Sequence, residues 1–457
     1  DENVFKNLSN GKTLGIFQLE SPGMTNLIKK IKPKNIEDIS ITSALFRPGP
    51  QKLIVEFLKN REEPKSIEYF DEMFEKILKP TSGIIIYQEQ LIDIIKKITS
   101  FSVGEADIFR RIISKKDSSK LSLVEENFKE KAKKNGYKAE YIEKIFNYIK
   151  QFASYGFNHA HSIAYAYISY WMAYLKCKYP MEFFTEILSS NDGNNEKISE
   201  YINEAKEYDI SFLQPSINNS NFNFEIFDNK ILFGFSVVKG IGYETIKKLL
   251  STRRSFGKKF TNWLETIAFL SKNGISVKTI ELLIKIGAFD EILNDKTRSF
   301  LLKNINEIYS KSKTTLKTGE MLIKPNLIQI NETEEMKKSL HEEQNLLLGF
   351  SFLEHPIIKV KNDKKINNFH KIIELRNLKE NNKLKLFVLI NNVREIKTKN
   401  GFLMASIKFE DETGSNNAIV FPNIYKKISD FLLQNKYFIA TICKKNNELQ
   451  LIDLEIN

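Results

Sequence analysis

The sequence predicts a multidomain protein that is mainly α-helical and ends in a small β-barrel of the OB-fold type. Helical spacing of apolar residues dominates the chain up to about residue 380. Beyond it, apolar and polar residues alternate with period two through five segments, and one helix separates the third from the fourth. A chain of 457 residues has room for about three domains, and we divide it into segments 1–190, 191–310, 311–380 and 381–457.

The composition indicates a basic, globular, cytoplasmic protein. The formal net charge is +12, which suits an anionic partner such as nucleic acid, although the base composition of the gene would explain the abundant lysine equally well. Nine of the 69 basic residues are arginines, and arginine binds phosphate through two parallel hydrogen bonds, so these few positions are informative. Cys177 and Cys443 are isolated, which excludes a disulfide framework and a thiolate zinc site. We predict no membrane span and no metal site in this chain.

The first hundred residues are predicted to combine short buried strands with helices. Leu14–Leu19 has the length and apolar character of a strand. Ser21 and Pro22 form a helix start, because proline is favoured at the first helical position. Gly83–Tyr87 is predicted as a second buried strand, which leads into a helix that begins at Gln88.

Three arginines of the first segment are candidates for binding phosphate. Arg47 lies in a Pro-Gly-Pro stretch, which is either a rigid mount for the guanidinium or an ordinary turn. The spacing Ser102–Glu105 fits a capping box, and the helix that it begins carries Arg110, Arg111 and Lys115–Lys116. Cations this close repel one another, so this face is either solvated or bound to an anion. The paired arginines in an arginine-poor chain favour a phosphate site.

The stretch Tyr155–Trp171 joins turn formers to aromatic rings. Gly156 and Asn158 predict a tight loop, and the lack of Gly or Pro from there to Pro180 predicts a helix of about five turns. His161 and Tyr165 fall on one face, and several other tyrosines fall on another. Aromatic residues at this spacing are typical of a protein core, and they also suit a platform on which a base pair stacks.

The second segment is predicted to bind a nucleic-acid backbone. Lys239, Gly240 and Gly242 form a turn before a helix, and such a turn leaves backbone N–H groups free to bind phosphate. Asn273–Ile275 repeats the pattern. From residue 239 to residue 298 there are twelve Lys or Arg and six Asp or Glu, which suits DNA backbone contacts; a plain bundle of helical hairpins is the alternative. Further candidates there are Lys247, Arg253 and Arg254.

The remaining segments are predicted to be a connector and the barrel. Lys311–Asn345 is polar and predicted to be flexible, except for the apolar stretch Met321–Ile330, which could bind a partner as an extended peptide or pack on its own domain. OB-folds often hold single-stranded nucleic acid on their open face. The candidates for that face, which could equally be ordinary exposed residues, are Lys397, Lys399, Phe402 and Lys408.

Several longer motifs occur in order along the chain. They are Gly15–Ser21, Ala44–Pro50, Gly83–Gln90, Ala106–Arg111, Tyr155–Asn158 with His161–Ser162, Val238–Gly242 and Gly287–Asp290. Through this set the chain resembles, over nearly its whole length, the alpha subunit of bacterial DNA polymerase III, the replicative family C polymerase. The resemblance implies a C-terminal portion of that subunit that begins at the fingers.

The resemblance also implies domain identities and residue roles. Residues 1–190 would be the fingers, 191–310 tandem helix-hairpin-helix units in the region that meets the sliding clamp, 311–380 a linker, and 381–457 the OB domain. The fingers arginines would contact the incoming triphosphate, and the loop and helix at Asn158 would line the nascent base pair. The dNTP-binding residues would then be Arg110, Arg111, Asn158, His161 and Tyr165, with Arg47 as a further candidate.

Under the same resemblance, Tyr167, Tyr170, Trp171 and Tyr174 would pack the fingers. Two positions depart from the family. His159 stands where lysine is usual, and no clear Gln-x-x-Leu-Phe clamp peptide occurs, only the apolar stretch around Leu327.

The resemblance further implies a nucleotidyltransferase whose catalytic residues lie elsewhere. Two-metal transfer needs clustered carboxylates, and in the family these are palm aspartates upstream of the Gly15 motif. We therefore expect Mg²⁺ in the intact polymerase, with its ligands outside this chain, and no activity from this chain alone. The expected partners are primer-template DNA, dNTPs, the sliding clamp and other holoenzyme subunits. The alternative is a non-catalytic DNA-binding or clamp-associated accessory protein.

Overall fold

The computed structural model describes residues 1–115, 118–152, 156–191, 193–312, 325–366, 368–398, 400–433, 436–445 and 448–456. They form two compact units, Asp1–Phe183 and Phe184–Asn457. Within the described ranges, no helix is long and apolar enough to cross a membrane. The predicted order, mainly helical and then a barrel, is confirmed, while the four-segment division stays a prediction.

The first unit is built from helices. They are α1 (Glu2–Ser9), α2 (Pro22–Ile31), α3 (Ile36–Leu45), α4 (Ile54–Glu62), α5 (Glu72–Leu78), α6 (Gln88–Thr99), α7 (Val103–Lys115), α8 (Ser118–Lys134), α9 (Ala139–Phe152) and α10 (His159–Lys178). Two predicted helix starts are confirmed: Ser21 caps α2, which begins with Pro22, and Ser102 and Glu105 form a capping box before α7. Such caps satisfy N–H groups that the helix itself leaves unpaired.

Two predicted strands of this unit are wrong. Leu14–Leu19 is a series of turns, because Gly15 and Gln18 have φ angles of +74° and +65°, which lie outside the β region. Gly83 lies in a turn with φ +81°, and in the described part of the chain Gly83–Tyr87 makes a single bridge, between Tyr87 and Phe157. Its isoleucines pack among helices instead, and a short apolar run does not distinguish these two outcomes.

Two buried clusters stabilise the first unit. The larger lies among α2 to α9, and its fully buried rings are Phe57, Phe74, Phe128 and Phe146. The smaller joins α1 and α2 to α10, and its buried residues include Val4, Leu8, Met24 and Ile28. Both clusters therefore hold the helices that carry the arginine and aromatic candidates.

The second unit begins with helices and a small sheet. The boundary lies within α11 (Pro180–Ser189). Then follow α12 (Asn195–Ala205), β1 (Phe212–Leu213), β2 (Glu225–Phe227), β3 (Lys230–Leu232), α13 (Tyr243–Phe256), α14 (Trp263–Lys272), α15 (Val277–Lys285), α16 (Arg298–Lys311), α17 (Glu334–Leu348) and α18 (Pro356–Asp363). The three strands have the order β1-β3-β2. α14 and α15, joined by a tight turn at Asn273–Ser276, form a helical hairpin of the predicted kind.

The connecting segment is more ordered than predicted. The prediction that Lys311–Asn345 is flexible is wrong for the second half of this segment. That half forms most of α17, a helix with a buried face. The first part of Met321–Ile330 lies outside the described residues. Farther on, Ile328 donates to and accepts from the side-chain amide of Asn304, at 2.7 and 2.9 Å. This part therefore packs on α16 of its own unit.

The C-terminal strands close into a five-stranded barrel, as predicted. The elements are β4 (Lys383–Lys397), β5 (Leu403–Asp411), β6 (Gly414–Val420), α19 (Pro422–Ile428), β7 (Lys436–Lys445) and β8 (Glu448–Ile456). The strand order is β4-β5-β6-β8-β7, closed by pairing of β7 with β4. β6 and β8 pair in parallel at Ile419 and Gln450. A closed barrel of this order, with one helix after its third strand, is an OB-fold.

Candidate functional site

The N terminus of α10 is fixed by hydrogen bonds. Asn158 caps the helix: its Oδ1 accepts from the His161 amide at 2.7 Å, and its Nδ2 donates to the Glu89 carboxylate at 2.9 Å. The same carboxylate accepts from the His159 amide at 2.9 and 3.1 Å. A negative charge at this end is favoured by the helix dipole. Asn158, a predicted nucleotide contact, is thus occupied as a cap.

The half-exposed side chain of His159 leads into a polar network whose hydroxyl groups are buried. Its Nε2 is 3.1 Å from both carboxylate oxygens of Glu37, and its ring centroid is 4.3 Å from that of Tyr87. The Tyr87 hydroxyl bonds with Ser40 at 2.8 Å, and Ser40 bonds with Ser162 on α10 at 2.9 Å. Burial raises the pKa of Tyr87 well above its usual value, so the phenol keeps its proton and this chain of hydroxyls stays neutral.

Five side chains form a continuous row along the first turns of α10. The Arg47 guanidinium is 3.8 Å from the Phe157 ring centroid. Phe157 is 5.6 Å from His161, His161 is 4.3 Å from Tyr165, and Tyr165 stacks on Phe17 at 5.4 Å. We call these five residues the aromatic row. Arg47 and His161 are exposed, and Phe17 is 39% exposed. Three predicted candidates, Arg47, His161 and Tyr165, are therefore brought together on an accessible surface.

Polar groups of α10 hold the turns that carry Phe17. Ser169 Oγ donates to the Phe17 carbonyl at 2.8 Å, and Lys176 Nζ donates to the Leu14 carbonyl at 2.6 Å. Both side chains are buried. Since buried carbonyl groups require partners, these bonds fix the path of the turns and keep Phe17 beside Tyr165.

The prediction that the aromatic residues farther along α10 pack in the core is wrong for three of the four. Tyr167, Trp171 and Tyr174 are 47%, 59% and 37% exposed. Tyr170 does pack, with its ring centroid 5.3 Å from that of Phe5. The inward positions carry small or polar residues instead, namely Ser162, Ala166, Ser169 and Ala173. Small residues let neighbouring segments approach the helix closely. The size of the residues on α10, and not the spacing of its aromatic residues, therefore decides which face is buried.

Arg110 and Arg111 share one carboxylate on α7. Arg110 donates from Nε and Nη2 to Asp107 Oδ1 at 3.0 and 2.7 Å, and Arg111 Nη2 lies 2.8 Å from Oδ2. The hydrogen bond from Arg110 lowers the pKa of Asp107. The Arg110 side chain is 11% exposed, whereas that of Arg111 is 65% exposed. Arg111 is therefore the accessible member of the pair; Lys116 and the side chain of Lys115 lie outside the described residues.

Gly240 and Gly242 form an open turn before α13. Gly240 has φ +92°, a conformation that favours glycine. Gly242 is the N-cap residue, without a side-chain cap, and a Cβ added to it would meet no atom within 4 Å. Lys239 and Lys247 are exposed. The turn is therefore accessible to a ligand as large as a phosphate backbone.

The two arginines of α13 have different surroundings. Arg253 is half-buried and donates to the Ser220 carbonyl and to Asn221 Oδ1, both at 2.6 Å. Arg254 is exposed. Arg253 thus fixes the loop that precedes β2, while Arg254 stays at the surface.

The β4–β5 hairpin carries the barrel candidates. Lys397 is exposed at the end of β4, and Phe402 is 64% exposed just before β5. Lys399 lies outside the described residues. Ile396 and Leu403 are 36% and 45% exposed, so the hairpin presents apolar side chains beside a cation.

Sequence reasoning missed the carboxylates that organise the first unit, which are Glu37, Glu89 and Asp107. Asp107 lies three and four residues before the two arginines, a spacing at which helix side chains pair, so that signal was present. Glu37 is 122 residues from His159 in the sequence, so no local sequence pattern indicates that these two residues pair.

Two parts of the chain match families of known proteins. Residues 1–136 match a family described as the bacterial DNA polymerase III alpha subunit finger domain. Residues 209–299 match a helix-hairpin-helix motif, in the region of the Gly240 turn and the α14–α15 hairpin.

Curated relatives named DNA polymerase III subunit alpha are similar along the chain. One from Ureaplasma parvum serovar 3 is 46% identical over 314 residues, which is 68% of this chain and 32% of the relative. One from Staphylococcus aureus strain Mu50 is 35% identical over 460 aligned residues, which is 100% of this chain and 42% of the relative. The chain spans about two fifths or less of the length of these relatives. Together, the finger-domain match, the helix-hairpin-helix match and the similarity over the full chain identify it as a member of the bacterial DNA polymerase III alpha-subunit family.

Proposed function

We propose that this chain forms the nucleotide-positioning and DNA-binding part of a DNA-directed DNA polymerase of the DNA polymerase III alpha type. The observation that carries the proposal is the convergence of Arg47, His161 and Tyr165 in the aromatic row. All three are residues that the resemblance in sequence assigns to dNTP binding. Similarity to relatives named DNA polymerase III subunit alpha supports the same function.

In this proposal the aromatic row lines the nascent base pair. Ring faces stack on any base, at about 1–3 kcal/mol per base, so they hold a correct pair without reading its sequence. Asn158 acts through its cap and its bond to Glu89, which orient the first turn of α10. His161 and Tyr165 are then presented to the pair in a fixed direction.

Arg110 and Arg111 bind the triphosphate of the incoming dNTP. A guanidinium donates to phosphate as it does to carboxylate, so phosphate oxygens replace Asp107 as the acceptor. Arg111 engages first because its side chain is 65% exposed. Arg110 follows once its two bonds to Asp107 have been exchanged.

The second unit holds DNA through its backbone. Lys239, Lys247 and Arg254 neutralise phosphates of the duplex beside the open turn of Gly240 and Gly242, whose N–H groups approach a phosphate. Arg253 is a positioning residue, through the loop at Ser220. In the barrel hairpin, Lys397, Lys399 and Phe402 bind the single-stranded template, since cations with an exposed ring suit that ligand.

Nucleotidyl transfer in this proposal uses Mg²⁺, but the described residues of this chain do not fit a two-ion site. Such a site needs carboxylates that converge on ions about 3.5–4 Å apart. Near the aromatic row, the Glu89 carboxylate is occupied by amide donors and that of Glu37 lies against His159. Asp107 is paired with both fingers arginines. We therefore assign the Mg²⁺ ligands to carboxylates outside this chain, and a positioning role to the chain itself.

The sliding clamp and other DNA polymerase III holoenzyme subunits are the protein partners in this proposal. The non-catalytic accessory function is less favoured because it does not account for an exposed arginine and an aromatic row on the same unit.

The test is Arg111→Ala in the intact polymerase, with steady-state incorporation measured for each dNTP. Loss of one charge-assisted bond costs about 1.5–3 kcal/mol, so KM should rise by about 10- to 150-fold for all four nucleotides. The control is Lys134→Ala, which removes an exposed cation paired with Glu130 in the same unit. An unchanged KM for Arg111→Ala would refute the triphosphate assignment. An intact protein that incorporates no nucleotide would favour the accessory function.

A further inference from the structure

Three potential metal ligands converge inside the second unit. His341 lies on α17, His355 is the N-cap residue of α18, and Glu410 lies on β5. One ligand atom from each lies within 4.8 Å of the others. His341 and Glu410 are 6% and 8% exposed, and the His355 side chain is 12% exposed. Two imidazoles and a carboxylate enclosed in this way form a typical donor set for a transition metal.

The His341 ring is oriented with one nitrogen directed into this cluster. Its Nδ1 is buried and has no hydrogen-bond partner in the described structure. A buried nitrogen lone pair without a partner is otherwise costly.

A bulge in the barrel brings a fourth group to the cluster. The register of β4 against β5 shifts between Ile390 and Asn392, so Asn391 is the inserted residue, and bulges commonly redirect a side chain. Asn391 lies close enough to Glu410 to act on that carboxylate, and its Oδ1 is buried and has no partner among the described atoms. A second unsatisfied acceptor therefore lies at the same cluster.

His355 also keeps an unsatisfied atom at the cluster. Its Nδ1 accepts from the Ile357 amide at 3.2 Å, and its Nε2 is 3.3 Å from Glu410 Oε1. This contact does not make a hydrogen bond, and Nε2 is buried without a partner among the described atoms. His341 Nδ1 and Asn391 Oδ1 are unpaired as well, and a cation would satisfy all three atoms once the His355 ring proton moves to Nδ1.

We propose that His341, His355 and Glu410 bind one divalent transition-metal ion of the zinc class, with Asn391 Oδ1 as a fourth ligand. Ligands of a tetrahedral zinc are about 3.4 Å apart, given bond lengths of about 2.0–2.1 Å. The three ligand atoms lie within 4.8 Å of one another, so side-chain rotations bring them closer together when the metal binds. Binding through His355 Nε2 moves the ring proton to Nδ1 and gives up one cap hydrogen bond, a small cost beside a metal–ligand bond.

The ion would join the barrel to the helices that precede it. His341 belongs to α17, His355 precedes α18, Asn391 belongs to β4 and Glu410 to β5, so one metal would link four elements of the chain. Because the ligands are largely buried side chains inside the second unit, the expected role is structural.

The experiment uses the full chain, stripped with a chelator and titrated with Zn²⁺ by calorimetry. We expect one equivalent to bind, and His341→Ala and Glu410→Gln each to weaken binding by about 100-fold or more. The matched control is His370→Ala. His370 Nδ1 is 2.7 Å from Glu374 Oε2 on the surface, so this variant removes a histidine–glutamate pair outside the cluster and should bind like the parent.

A second measurement on the unmodified protein keeps the test independent of variant folding. X-ray absorption at the zinc edge should show nitrogen and oxygen ligands with imidazole scattering and no sulfur, since Cys177 and Cys443 take no part. Absence of stoichiometric zinc, a spectrum with sulfur ligation, or equal binding by His341→Ala that retains the parent's circular dichroism would each overturn the proposal.

Discussion

Gly242 offers a way to separate DNA binding from folding in the second unit. Its φ is −84° and an added Cβ would meet no atom within 4 Å, so Gly242→Ala introduces no clash and no positive-φ strain. Alanine is a poorer N-cap than glycine, but it also lowers the entropy of the unfolded chain by about 0.4–1 kcal/mol. The two effects oppose each other, and we expect the free energy of unfolding to change by less than about 0.5 kcal/mol.

DNA binding should respond much more strongly than stability. The new methyl group stands where a phosphate would approach the N–H groups at the start of α13. Loss of one hydrogen bond to a charged group costs about 1.5–3 kcal/mol, so duplex affinity should fall by about 10- to 150-fold. Gly242→Ser extends the test, because serine adds a side-chain cap and stabilises the helix while it still obstructs the phosphate.

The assay is fluorescence anisotropy with duplex DNA at several salt concentrations, together with urea unfolding of each variant. The Gly242 variants should lose affinity at every salt concentration without a change in slope, since no charge is removed. Gly104→Ala is the control, because Gly104 on α7 also has no neighbour within 4 Å of an added Cβ. If both Gly242 variants bind duplex as tightly as the parent, the backbone of this turn does not contact phosphate.

Five further variants can be measured on the same protein. Arg254→Ala should reduce the slope of log K against log salt by about 0.9. Arg253→Ala should instead lower the free energy of unfolding by about 1–3 kcal/mol, because the Ser220 carbonyl loses its donor. If the two variants changed both quantities equally, the different surroundings of the two arginines would have no effect. Phe402→Ala should weaken single-stranded DNA binding by about 1–3 kcal/mol and leave duplex binding unchanged, as competition titrations would show. Ser162→Ala should destabilise the first unit by about 1–3 kcal/mol in urea unfolding, since buried Ser40 loses a partner. The pKa of Asp107 in the folded protein lies below its ordinary 3.8. Its ion pairs therefore stabilise the fold above that pH, and this stabilisation is lost as the pH falls through the folded-state pKa. The stability of Asp107→Asn should depend less on pH in this acid range, as unfolding measurements at several pH values would show.

Features set by local chemistry were predictable from the sequence. The Ser102–Glu105 capping box and the proline at the start of α2 occur where predicted, because a cap depends on residues within one turn of the helix. The barrel was also predictable, since alternation with period two persists through all five strands. Arg47, His161 and Tyr165 were recognised as candidates one by one, although the row that joins them depends on Phe17 and Phe157.

Features set by distant partners were not predictable. The aromatic spacing of α10 predicted a buried stripe, but whether Trp171 is covered depends on which segments pack on the helix, and those segments need the small face at Ala166 and Ala173. Gly83–Tyr87 has the composition of a strand and lacks a neighbouring strand of the described chain with which to form a sheet. In the His341 cluster, His341 and His355 are 14 positions apart, and His355 and Glu410 are 55 positions apart. No metal-binding motif has these spacings, so the sequence alone does not predict the cluster.

The two tryptophans of the chain report on separate units. Trp171, on α10, is 59% exposed, whereas Trp263, at the start of α14, is 7% exposed. An indole in water emits at longer wavelength and is quenched more readily by a dissolved quencher than one in an apolar interior. The red side of the emission band therefore follows the surface of the first unit, and the blue side follows the interior of the second. Unfolding of one unit ahead of the other would appear as two separate spectral changes, without any added label.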